Sequence, residues 1–163
     1  MNKNEIPPSR KGIKMTKKEI ITQLRAAKAA HIQWRAYAQA IVGGFSVDQN
    51  HVPVIHTECK FGQWYYGKGQ MLSSLENYAA IDGPHIMLHQ IYMEIFILMF
   101  GETKKGFLGN LFSSKEKLRK QNEMKAKELM KSMIAVSETL LETINILEKE
   151  VMDLTDEEIA ELY

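Results

Sequence analysis

The sequence predicts an all-α helical bundle, and three observations carry that reading. Apolar side chains recur at steps of three and four along two stretches, Ile20 to Ile41 and Leu129 to Val151. The helix holding each stretch opens at a Ser/Thr-x-x-Glu capping box, Thr16-Lys17-Lys18-Glu19 and Ser113-Ser114-Lys115-Glu116. Between them Gly83-Pro84 opens a third apolar run, because proline is tolerated in a first helical turn. With 163 residues, 45% hydrophobic and 25% charged, the chain can build one sizeable core.

Residues 1–15, with Pro7-Pro8 and no apolar period, read as a mobile basic tail. From Thr16, a stripe of Ile20, Leu24, Ala27, His31, Trp34, Ala38 and Ile41 runs to Gly43-Gly44. Pro53 and polar residues then mark a connection containing His51 and His56. Thr57 is expected to cap a short helix reaching Gly67, with Cys59 in its first turn and Phe61, Trp64 and Tyr65 as core anchors. Another short helix is expected over Met71 to Ala80. The third run places His85, His89, Tyr92, Phe96 and Met99 on one face. A connection from Gly101 to Phe112 carries Phe107, Leu108, Leu111 and Phe112, expected to tuck under the bundle, with contact to a partner as the alternative. The last long helix should run to about Met152, its broad stripe of Leu129, Met133, Val136, Leu140, Ile144, Leu147 and Val151 widened by Met130, Ile134 and Leu141. Residues 153–163 form a short acidic C-terminal helix capped by Thr155.

Charge is balanced overall, at +1, but not along the chain. Residues 1–35 carry nine basic and two acidic side chains, and 142–163 carry one and eight; this allows antiparallel pairing of the terminal helices, but two solvated faces of ordinary helices are the default reading, because exposed ion pairs contribute so little. The basic residues are not interleaved with aromatics, so no nucleic-acid partner is expected. The longest apolar run, Ile91 to Phe100, is interrupted by Glu94 and falls short of the ~20 residues that span a bilayer. Without membrane insertion or a secretory signal, a cytoplasmic location is expected. One cysteine excludes an internal disulfide framework, leaving Cys59 a buried small residue, a reactive thiol or a metal ligand.

His85 and His89 lie one helical turn apart on an inward face. A lone core histidine is ordinarily just hydrogen-bonded, but two imidazoles at this spacing can grip one tetrahedral ion. His31 sits inside its own apolar stripe and is a third candidate donor. Cys59, near a helix start that favours a thiolate, is a fourth. His56 is the rival to His31, because His56-x-x-Cys59 is also a ligand spacing.

Taken together, His31-x-x-Trp34, Cys59-x-Phe61-Gly62-x-Trp64 and His85-x-x-x-His89 resemble the bacterial chemoreceptor zinc-binding domain, over roughly residues 16–152. The resemblance implies a four-helix bundle, here with short extra helices, holding one zinc ion inside it on His31, Cys59, His85 and His89. Trp34, Phe61, Gly62 and Trp64 would support the site. It also implies a role in chemotaxis or cyclic-di-GMP signalling, since such domains regulate diguanylate cyclases and cytoplasmic chemoreceptors. A homodimer is expected on the same ground. No cyclase signature or receptor stalk occurs in these residues, so the output would be a separate signalling protein or a fused domain not present in this chain.

Three imidazoles and one thiolate saturate a tetrahedral zinc, leaving no open position for substrate or activated water. No carboxylate pair, Ser/His/Asp set or phosphate-cradling loop accompanies them, so no enzyme activity is expected. Two alternatives to zinc sensing stand: oxidant (hypochlorous acid) sensing through zinc-bound Cys59, and a purely structural zinc-stabilised dimerisation bundle.

Overall fold

A computed structural model describes residues 14–47, 55–101 and 112–163. Most of the basic tail, His51 and the apolar connection with Phe107, Leu108 and Leu111 lie outside those residues. The described chain is all-α, with helices α1 (Lys17–Val42), α2 (Lys60–Tyr65), α3 (Asp82–Phe100), α4 (Phe112–Asp153) and α5 (Asp156–Glu161). No strand occurs among the described residues.

Helix α1 starts where its capping box says it should. Thr16 accepts the Glu19 N–H, and the Glu19 carboxylate reaches back to the Thr16 N–H, an arrangement that stabilises by about 1 kcal/mol. The buried residues of α1 are the expected seven, Ile20 through Ile41. The helix stops at a Schellman motif: Phe45 N–H donates to Ala40 O and Gly44 N–H to Ile41 O. Gly44, at φ +80°, supplies the left-handed residue that this motif needs.

Helix α4 packs along both α1 and α3, which touch each other less. It runs antiparallel to both, since Arg25 and Lys28 meet Glu148 while Asn122 Nδ2 donates to Leu98 O. Its core residues include Met133, Leu140, Ile144, Leu147 and Val151, with Leu129, Val136 and Ile134 packed at the flanks. The helix begins at Phe112, so Ser113 lies within it rather than ahead of it as a cap.

Three local expectations differ from the structure. Cys59 itself, not Thr57, caps α2, because its Sγ accepts the Gly62 N–H. Met71 to Ala80 is not one helix: 3₁₀ segments occupy Lys68–Leu72 and Ala79–Ile81, and the latter continues directly into α3. A ten-residue stretch this short relies on packing rather than propensity for its geometry. On α3 the buried residues are His85, Leu88, His89, Tyr92 and Ile95, while Phe96 and Met99 are only partly buried. That helix is apolar on nearly every side, so its period does not say which side faces in.

Candidate metal centre

Three chain segments converge on one buried point. His31 comes from the middle of α1, Cys59 from the cap of α2, and His85 and His89 from the first two turns of α3. The imidazoles expose 3%, 0% and 2% of their surface respectively, whereas Cys59 is half-buried. One donor atom from each of the four lies within 4.8 Å of all the others. Donors around a tetrahedral zinc stand about 3.3–3.6 Å apart, as bonds of ~2.0–2.1 Å to nitrogen and ~2.3 Å to sulfur require. Cys59 Sγ and His85 Nε2 are already at 3.3 Å.

The environment of each ring fits coordination better than a plain core role. His31 Nδ1 is 2.7 Å from Ala27 O, which fixes the proton on Nδ1 and leaves Nε2 with its lone pair. His85 is wholly buried, and its Nε2 lies 3.3 Å from the Cys59 sulfur, while its Nδ1 meets no hydrogen-bond partner among the described residues. A thiol is a weak hydrogen-bond partner for a buried imidazole, and an ion between Nε2 and Sγ would satisfy both atoms. Burial holds His31 below the usual imidazole range against the opposing Ala27 bond. Burial, reinforced by the neighbouring His31, His89 and His56, pushes His85 down to about 2. Both rings are therefore neutral, the form that donates to a metal.

Cys59 differs from expectation here. Burial raises its thiol, and the N–H groups of Gly62 and Phe61 only partly oppose that rise. Without a cation, Cys59 is a thiol at neutral pH, its proton directed at His56 O at 3.3 Å. Binding a metal at this sulfur must expel that proton.

Aromatic rings wall the point off. Phe61 stands edge-on to both His31 (5.6 Å between centroids) and His85 (5.2 Å). Trp34 lies closer to His89, at 4.1 Å, than to the His31 ring it follows in sequence, at 6.1 Å. Trp64 stacks behind Phe61, and its Nε1–H donates to Met15 Sδ. Gly62 is required by space, because a Cβ there would stand 1.9 Å from His56 O.

Residues 31–96 match the chemoreceptor zinc-binding domain family. The matched stretch begins at His31 and contains all four donors, α2 and most of α3, and is narrower than the span expected from the motifs. No curated protein and no solved structure matches the chain. The chemoreceptor zinc-binding domain is a zinc-binding signalling domain and a helical bundle, and the donor cluster found here is compatible with its metal site. No helix among the described residues is long and apolar enough to cross a membrane.

Several supports of this centre carried no sequence signal. Tyr65 and Tyr78 stack at 4.4 Å and each donates its hydroxyl to the other's backbone carbonyl. Tyr66 donates to Asp82, and the Glu150 carboxylate accepts from the N–H groups of Glu76 and Asn77. These contacts tie α2 to the start of α3 and both to α4. Only a search across positions 13 to 74 residues apart would find them.

Proposed function

We propose that this chain is a zinc-responsive regulatory module of bacterial signal transduction, in chemotaxis or cyclic-di-GMP signalling. The observation that carries the reading is the convergence of His31, Cys59, His85 and His89 from three segments on one buried point. A closed tetrahedral site of this composition holds a metal rather than using it on a substrate, which favours regulation over catalysis. Zinc would bridge α1, α2 and α3. Without it, four donor groups face one another with no cation between them, and α2 keeps only its aromatic and hydrogen-bonded attachments. Occupancy is thereby converted into the docking of α2, and so into a surface that a signalling protein or a fused output domain can sense.

The test is metal analysis of purified protein with alanine at each donor, followed by chelator titration under circular dichroism. One zinc per chain is expected, lost in each of the four variants and kept in His56→Ala. Binding should expel the Cys59 proton while His31 and His85 contribute none, so affinity should weaken about tenfold for each unit of pH lowered through neutrality. Zinc retained by His31→Ala would refute the donor set. Loss of all helicity along with the metal would favour a structural zinc over a sensor.

A second reading has its own observation. Cys59 is the only oxidisable donor of the four and the only one that is not fully buried. Oxidation of its zinc-bound thiolate would remove a soft ligand and give the same release of α2, making the module an oxidant sensor.

A further inference from the structure

The buried centre poses a problem of access. His31, His85 and His89 have almost no surface, and Phe61 and Trp34 cover them. The least covered of the four donors is half-buried Cys59, where the α2 cap meets the turn closed by Glu58 N–H on Ile55 O. His56 lies in that turn and is itself half-buried. Its ring is 6.0 Å from that of His85 and 6.3 Å from that of His89, and stands edge-on to Tyr66 at 5.7 Å. Its backbone is pinned: the carbonyl oxygen occupies the space over Gly62 and accepts the Cys59 Sγ–H bond. The imidazole is thus held beside the centre, on the side of its least covered donor, but outside the group of four mutually close donors.

We propose that His56 is a transient ligand that carries a divalent metal ion between solvent and the four-donor centre. The proposal rests on the zinc reading above. A hydrated cation must exchange its waters one at a time, and imidazole, the commonest protein metal ligand, replaces one of them beside the centre. The next exchanges are with Cys59, three residues on, and with the His85 and His89 rings. A fifth donor has no place in a filled tetrahedral shell, so His56 leaves the ion once the four are bound. A group that binds only along the route lowers the same barrier in both directions and leaves the equilibrium unchanged.

The test compares wild type with His56→Ala and with His56→Gln, which keeps more of the side-chain volume. Zinc uptake by metal-free protein and zinc release to excess chromogenic chelator are followed by stopped flow, with stoichiometry and equilibrium affinity measured on the same samples. Both variants should hold one zinc at wild-type affinity while uptake and release slow together by about tenfold, which corresponds to ~1.4 kcal/mol on the shared barrier. Unchanged rates in both variants would overturn the proposal, as would release that quickens without any change in uptake. Loss of the bound zinc in both variants, where His31→Ala retains it, would make His56 a resident donor and overturn the donor set as well. A wild-type protein that binds no zinc would fail the underlying reading instead.

Discussion

At residue 62 the chain has no room for a side chain, and the reason is the Cys59 corner. The Gly62 N–H donates to Sγ at 3.1 Å while the His56 carbonyl oxygen lies 1.9 Å from where a Cβ would stand. The sulfur is held from both sides yet remains half-exposed, which is the condition for selective oxidation. Zinc-loaded protein treated with stoichiometric hypochlorous acid should lose its metal as Cys59 gains oxygen. Met87 and Met124 are the internal controls, because they are 51% and 69% exposed and far more accessible. Metal release tracking Cys59 oxidation by mass spectrometry supports the oxidant reading. Oxidised methionines with zinc still bound would sink it and leave zinc as the signal.

Helix α2 has six residues, too few to be stable alone, so its position is decided by what grips it. The Tyr65–Tyr78 clasp and the Tyr66–Asp82 bond hold its C-terminal end to the start of α3, and metal would hold its N-terminal end. Glu150 steadies the turn between them by accepting from Glu76 N–H, Asn77 N–H and Asn77 Nδ2. Replacing it with alanine should cost about 1.5–3 kcal/mol in thermal or denaturant unfolding, the range for hydrogen bonds to a charged group. Zinc affinity should weaken in parallel, because the same turn leads through Tyr78 to α2. Glu150→Gln, which retains an acceptor, should recover part of both. A destabilised variant with wild-type affinity would show that the turn and the centre are uncoupled.

Across the whole molecule, the opposite charges of the two ends are used. Burial disfavours the Glu148 carboxylate, but Lys28 and Arg25 outweigh that and hold it below the usual carboxylate range. Lys17 Nζ donates to the carbonyls of Met152 and Leu154, so the basic start of α1 meets the acidic end of α4. Among the described residues, the outer side of α3 shows Met93, Ile97 and Phe100 exposed at helical spacing. A helix apolar all round is ordinarily covered, and we expect a second copy of the chain to cover this one. Sedimentation of the zinc-loaded protein should find a dimer, and Ile97→Glu, at a side chain 58% exposed, should dissociate it without unfolding the monomer. A wild-type monomer at every workable concentration would remove the expectation.

Sequence alone determined the features that depend on neighbours a few residues away. The Thr16 box, the α1 stripe and the one-turn spacing of His85 and His89 are local, and a helix expresses them wherever it packs. His31 was legible because it interrupts an apolar stripe, and Cys59 because its neighbours repeat a known pattern. Tertiary structure decided the rest. Which side of α3 faces inward could not be read from a helix apolar on every side; packing against α1 and α4 chose Leu88 and Ile95 over Phe96 and Met99. The stretch from 68 to 81 is too short for propensity to decide its geometry, and the Tyr65–Tyr78 clasp and Glu150 hold it where 3₁₀ segments form. His56 and Cys59 share a plausible ligand spacing, but only the fold separates a ring beside the donor group from a sulfur within it. Desolvation likewise reversed the thiolate expected at a helix start, because burial outweighs the two N–H groups that favour it.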